Sequence, residues 1–164
     1  MTSKVPLVWL AQSAFAAMSE ESSRHHPRES GGLLLGYRVS EDEAIVSRVL
    51  GPGPRAEHRS NGFRPDTAYQ DRELERAFED SRGVTTYLGD WHSHPGQPGI
   101  PSSKDRRTLR RIARTKEASC PLPLMIIVGE DVDHWVVEGW QGRLGLVTRL
   151  HVHPVALRVW DFED

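Results

Sequence analysis

The stretch that most constrains this chain is Gly89-Asp90-Trp91-His92-Ser93-His94-Pro95. It follows a short β-like run, Val84–Leu88, and leads through a Pro- and Gly-rich segment to Ser102-Ser103-Lys104-Asp105. Written as a pattern, this is His-x-His, seven residues, then Ser-x-x-Asp. Side chains of an extended strand alternate between faces, so His92 and His94 share one face and Ser93 takes the other. The segment Pro95–Pro101 is too rich in Pro and Gly for regular structure and reads as a loop folding back, which lets Asp105 join the two imidazoles. Two nitrogens and one carboxylate oxygen, with a fourth position left for water, make the ligand set of a catalytic zinc site. Structural sites are instead closed by four protein ligands, usually thiolates, and only Cys120 could supply one.

The rest of the chain reads as alternating strands and helices. Val5–Leu10 predicts a first strand and Ala11–Ser23 a helix, with Ser13 a possible cap. His25 and His26 follow in a polar patch and read as solvated loop residues, since neighbours in an extended chain face opposite ways. Arg28 and Glu29 lead into Ser30-Gly31-Gly32-Leu33-Leu34-Leu35-Gly36, a strand buried on both faces with Glu29 at its mouth. Glu43–Leu50 predicts a strand pairing back onto it, and Gly51–Gly62 a turn-rich excursion in which His58 is exposed and has no partner at metal spacing. Asp66–Ser81 is the clearest helix, capped by Asp66. After the metal-bearing strand, Ser102 or Ser103 caps a helix to about Lys116 that puts Asp105 in its first turn. Leu122–Val128, Trp135–Trp140 and Leu144–Val152 predict three more strands with a turn at Gln141-Gly142, and Val155–Phe162 a closing strand. His151 and His153 repeat the His-x-His pattern, but no Ser-x-x-Asp follows, so they read as strand decoration. Cys120, with no histidine nearby in sequence, reads as a small residue between helix and strand.

Length and charge exclude whole classes of function. The 164 residues suit a single domain, 1–164, with no internal repeat. Lysine and arginine number 21 against 23 acidic residues, so no overall charge draws the chain to nucleic acid or to a membrane surface. The N-terminus lacks the pattern of a signal peptide, no stretch approaches a membrane span, and a single cysteine fits a reducing compartment. The expectation is a cytoplasmic protein that meets its partner through local recognition. The helix from Ser102 carries Arg106, Arg107, Arg110, Arg111 and Arg114, read as a solvated face or, alternatively, a docking patch for an acidic protein surface.

These residues permit hydrolysis. One zinc ion per chain, on His92, His94 and Asp105, would make water acidic enough to yield hydroxide near neutral pH. Amide cleavage then needs a base that takes the water proton and hands it to the departing amine. Glu29 is the candidate if its strand neighbours the metal strand. Ser102, pinned at a helix start, can donate to the oxyanion.

Taken together, Glu29-Ser30-Gly31-Gly32-Leu33-Leu34-Leu35-Gly36, Gly89-Asp90-Trp91-His92-Ser93-His94-Pro95 and Ser102-x-x-Asp105 resemble the JAB/MPN/JAMM zinc metalloprotease family in its compact prokaryotic form, over roughly Val8 to Val137. The resemblance implies an α/β fold with a cytidine-deaminase-like, three-layer arrangement around a central mixed sheet. It implies zinc on His92, His94 and Asp105, a Glu29 acid/base and a Ser102 oxyanion contact. The implied activity is an isopeptidase or peptidase that cuts after the C-terminal glycine of a ubiquitin-like protein, by deconjugation or by precursor processing. Prokaryotic relatives of that kind occur in sulfur-carrier processing and in antiviral operons. The alternatives are a hydrolase releasing an amino acid from a sulfur-carrier protein, a RadC-like branch for which no DNA-binding module is visible, and a non-catalytic MPN-type interaction domain. The last would have no need of the ligands, all of which are present.

Overall fold

The computed structural model describes residues 4–147 and 149–161. In chain order its elements are β1 (Leu7–Ala11), α1 (Gln12–His25), β2 (Gly31–Ser40), β3 (Glu43–Leu50), β4 (Glu57–Arg59), β5 (Gly62–Arg64), α2 (Thr67–Asp80), β6 (Thr86–His94), α3 (Ser103–Arg114), β7 (Leu124–Asp131), β8 (His134–Leu144) and β9 (Leu150–Trp160). Seven strands form a mixed sheet in the order β1-β3-β2-β6-β7-β8-β9, and β4 and β5 form a separate hairpin. The pairs β1–β3, β6–β7 and β1–β9 are parallel and the others antiparallel. The expected single-domain α/β architecture with a mixed sheet is therefore observed, but the sheet does not end in two free edges. The last strand pairs with both β8 and β1 and closes a barrel, so among the described residues this sheet has no free edge.

The central strands are apolar on both faces because helices cover both. Leu124, Ile126 and Val128 of β7 pack with Leu34, Trp91 and the α1 residues Ala14 and Met18. Met125 and Ile127, pointing the other way, pack with Leu109 of α3. Leu35 and Leu50 pack with Ala77 of α2. This is the continuous hydrophobic pattern of a doubly covered strand rather than the alternation of a half-exposed one.

Two helix starts follow their sequence signals. Asp66 accepts a hydrogen bond from the Tyr69 N–H at 3.2 Å. Ser102 and Asp105 form a reciprocal capping box, a device that stabilises a helix start by about 1 kcal/mol. Ser13 does not cap: β1 runs directly into α1, Ala11 occupies the N-cap position, and no side chain caps it. The C-terminal strands also differ from expectation. β8 continues through Gln141-Gly142 to Leu144, because Gln141 and Gly142 find ladder partners in His153 and Val152, and available pairing outweighs a weak turn signal. The expected strands 144–152 and 155–162 become the end of β8 and the single strand β9; Thr148 and Phe162 lie outside the described residues. Within the turn-rich excursion, Ser60-Asn61 closes the β4–β5 hairpin.

One irregularity aims the metal-bearing strand. Leu34 of β2 pairs with Gly89 of β6 but Leu35 pairs with Tyr87, leaving Leu88 as an extra residue, a β-bulge just before the histidines. Gly89 adopts φ +142°, and a Cβ there would run into the Leu124 backbone of the neighbouring strand. Bulges bend a strand and redirect the side chains that follow. Gly89→Ala is expected to destabilise the fold by at least about 2 kcal/mol, from backbone strain and overpacking. A urea titration checks this: the midpoint falls while the slope stays constant.

Candidate metal centre

Three elements meet at the end of β6. His92 and His94 are the last same-face pair of that strand, and Asp105 sits in the first turn of α3 after the loop 95–101. The loop is fastened down. The Gly96 N–H donates to Glu130 Oε2 at 2.7 Å, the Glu130 N–H donates to the Gln97 carbonyl at 2.9 Å, and Trp140 Nε1–H donates to the Gly99 carbonyl at 2.9 Å. These contacts bring α3 back over the strand, as the Pro/Gly content predicts.

The three side chains converge on one point. His92 Nε2 lies 2.9 Å from His94 Nε2, and the two nitrogens lie 3.2 and 3.4 Å from Asp105 Oδ1 and Oδ2. Ligands about 2.0–2.1 Å from a tetrahedral centre are separated by about 3.3–3.4 Å, and here one ligand atom from each of the three residues lies within 4.8 Å of the other two. All three residues are buried, at 7–9 % exposure. The orientation is enforced from outside. His94 Nδ1–H donates to the Pro98 carbonyl at 3.3 Å, which holds the ring with Nε2 toward the centre. The Ser102 N–H donates to Asp105 Oδ2 at 2.7 Å. Burial would raise the Asp105 pKa, but hydrogen bonds from His92, His94 and Ser102 outweigh it and keep the carboxyl well below the usual range. A buried, ionised carboxylate facing two imidazole nitrogens fits a divalent cation.

Glu29 reaches the same cleft by strand pairing. Gly31 pairs with His92, and the next position is locked by the Ser93 N–H donating to the Ser30 carbonyl at 2.8 Å and the Ser30 N–H donating to Ser93 Oγ at 3.0 Å. Glu29 lies just beyond the end of that ladder, its N–H donating instead to the Arg59 carbonyl at 2.8 Å. Glu29 lines the cleft with His92, Asp105, Lys104 and Phe63. Burial pushes its carboxyl above the ordinary glutamate value, while His92, His94 and Lys104 pull the other way. The Ser102 hydroxyl oxygen accepts from the Asp105 N–H at 3.2 Å.

The cleft also holds residues the sequence reading did not single out. Lys104 and Phe63 line it, as does Asp90, to which the Tyr87 hydroxyl donates at 2.6 Å; Arg111, read in the sequence only as part of the arginine face, lines it too. Burial pushes both Tyr87 and Asp90 upward. Asp90 shares strand parity with His92, which was legible in the sequence; Phe63 and Lys104 arrive by tertiary contact alone. The five arginines of α3 are exposed and, among the described residues, form no ion pair.

The other histidines divide. His151 and His153 lie exposed on β9 with nearly parallel rings 6.2 Å apart, as strand decoration. His26 is exposed and contacts Glu130 at 3.2 Å. His25 and His58 are not the solvated residues expected. His25 is in the last turn of α1, His58 is in β4, both are half-buried, and their rings stack at 3.6 Å. The helix extends past Ser23 and brings His25 against a hairpin whose position the sequence did not reveal.

Cys120 is buried, and burial pushes its thiol up to about 11. At pH 8 a thiol-specific reagent is expected to label native Cys120 at least about a hundredfold more slowly than the same residue in the unfolded chain. Stopped-flow labelling with and without denaturant measures the ratio.

Comparisons with known proteins agree with this geometry. Residues 11–141 match the family described as prokaryotic homologs of the JAB domain. The chain is 37% identical over 139 residues to a probable metalloprotease, y4qB, of Sinorhizobium fredii, covering 84% of this chain and 85% of that one. It is 33% identical over 120 residues to a CD-NTase/cGAS isopeptidase of Vibrio cholerae, covering 73% and 72%. In fold it resembles the solution structure of protein DSY2949 from Desulfitobacterium hafniense, with a TM-score of 0.65, 19% identity and 94% of each chain covered. A family match over most of the sequence, relatives named as metalloprotease and isopeptidase, and a buried His-His-Asp triangle converge: the chain belongs to the prokaryotic JAB-domain family and is a JAMM-type peptidase.

Proposed function

We propose that the protein is a zinc-dependent isopeptidase that releases a protein conjugate by cutting after the C-terminal glycine of a ubiquitin-like modifier. The observation that carries this is the convergence of His92, His94 and Asp105 within 3.4 Å of one another beside Glu29 in one cleft. The isopeptidase names of the relatives from Vibrio cholerae, Enterobacter hormaechei and Escherichia coli support a conjugate as substrate, and a nucleotidyltransferase of the CD-NTase type is a candidate target within it. Those names also support a place in antiviral defence. The cytidine-deaminase-like layering implied by the resemblance belongs to the same reading. Among the described residues no helix is long and apolar enough to cross a membrane, and a cytoplasmic setting is part of the proposal.

In this mechanism His92, His94 and Asp105 would hold the ion. When bound, zinc supplies Lewis acidity, polarising a carbonyl and making water acidic enough to lose a proton near neutral pH. Glu29 accepts that proton as the water oxygen attacks the carbonyl carbon, then delivers it to the amine as the C–N bond breaks. The Ser102 hydroxyl donates to the oxygen that becomes negative. The raised Glu29 pKa suits a group that must both accept and return a proton. A glycine-terminated tail fits a narrow cleft because it has no side chains to obstruct the approach to the metal.

Two experiments test this. Metal analysis of purified protein is expected to give one zinc per chain, retained in Glu29→Gln and lost in His92→Ala and Asp105→Ala. Incubation with a Gly-Gly-terminated ubiquitin-like protein joined to a lysine side chain is expected to yield both components. Chelator should stop the reaction, zinc should restore it, and Glu29→Gln should lower the rate by about 10²–10⁴-fold. Cleavage that survives chelator, or a Glu29→Gln variant as active as the wild type, rejects the mechanism. A matched linear fusion, run alongside, separates isopeptide from peptide cleavage.

A further inference from the structure

Glu29 lies in the irregular segment between α1 and β2, one residue before the Ser30–Ser93 latch, so the sheet itself does not anchor its peptide groups. Buried backbone groups need partners, and here one hairpin supplies both. The Glu29 N–H donates to the Arg59 carbonyl at 2.8 Å, and the Glu29 carbonyl accepts from His58 Nδ1 at 2.9 Å. A carbonyl oxygen has no proton to give, so Nδ1 carries the hydrogen and the imidazole is fixed in one tautomer.

The His58 ring is held by two nearly parallel rings. His25 stacks at 3.6 Å with 14° between the planes, and Phe63 lies 6.4 Å away at 15°. His25 is aligned by Glu21 Oε1 at 3.0 Å, and the same oxygen accepts from the Ser30 hydroxyl at 2.9 Å. Phe63 rests on Gly31, where an added Cβ would come within 2.5–2.7 Å of its ring. At the hairpin tip, Lys104 Nζ donates to the Asn61 carbonyl at 3.4 Å.

Glu21, His25 and His58 have the composition of a second metal site, with ligand atoms within 4.8 Å of one another. The geometry argues otherwise. An ion lies in the plane of every imidazole that binds it, and nearly parallel rings 3.6 Å apart share no such point nearby.

We propose that His58 is a positioning residue: packed against His25 and Phe63, it clamps the Glu29 carbonyl and thereby sets the direction in which the Glu29 side chain enters the cleft. This rests on Glu29 acting as the proton carrier. A displacement of about 1 Å in such a group costs on the order of a hundredfold in rate, so the clamp governs turnover while leaving the metal triangle alone.

The test compares three variants with the wild type on the glycine-terminated conjugate. Asn places its side-chain N–H where His58 has Nδ1, whereas Gln places it where His58 has Nε2. His58→Gln and His58→Ala are expected to lower kcat by about 10- to 100-fold, with KM within about twofold and zinc content unchanged. His58→Asn should recover to within about fivefold of the wild type. Independently of activity, a long-range ¹⁵N–¹H spectrum of the wild-type protein at pH 8 should show His58 protonated on Nδ1. An Nε2–H tautomer, a Gln variant equal to wild type, an Asn variant no better than Gln, or a loss explained by missing zinc overturns the proposal. Glu29→Gln serves as the control for the underlying reading: if it still cleaves, that reading fails, and the tautomer alone decides whether the clamp exists.

Discussion

The arrangement depends on the pairing of β2 with β6. β6 carries the histidines and Glu29 lies two residues before β2, and the reciprocal hydrogen bonds of Ser30 and Ser93 fix the register at the point where the ladder ends. A slip of one residue would turn His92 and His94 to the opposite face and bring Ser93 into the cleft. Ser93 is fully buried and faces away from the metal triangle, so it serves pairing while its neighbours serve the site. The bulge at Leu88 lies within the same pair and sets how the strand end is aimed.

Around that pair, two of the three metal-site residues, Asp105 and His94, are oriented by something other than the ion they would hold. Asp105 is placed by the capping box of α3, His94 by the Pro98 carbonyl, and the 95–101 loop by Glu130 and Trp140. A ligand set organised in advance in this way does not have to order its side chains when the metal arrives, which favours both affinity and a single geometry. Closure of the sheet by β9 contributes at longer range, since it joins β1 and β8 and gives the layer that carries the site no free edge.

Much of the site was legible because its chemistry is local in sequence. Strand alternation puts His92 and His94 on one face, the Pro/Gly loop has the reach to return Asp105, and Ser102 is a recognisable helix cap. Glu29 is a different case: its place beside the histidines depends on two strands more than sixty residues apart being neighbours, as the 63-residue separation of Ser30 and Ser93 shows. The family resemblance anticipated that adjacency, whereas periodicity could not. His25 and His58 were misread for the same reason. Each is an unremarkable polar residue in its own segment, and their stacking across 33 positions leaves both half-buried. In β8, Gln141-Gly142 looks like a turn, but two ladder partners were available and the strand continued.

By itself the sequence determined which residue types could bind a metal, the face each would occupy on its own element, and the starts of α2 and α3, because alternation, capping and loop propensity act over a few residues. Tertiary structure alone decided that the sheet closes on itself, that the hairpin of Glu57–Arg64 covers the cleft, and that His58 meets Glu29. Those contacts join segments whose local preferences carry no information about one another, and they form only when burial and backbone pairing are satisfied across the whole chain at once.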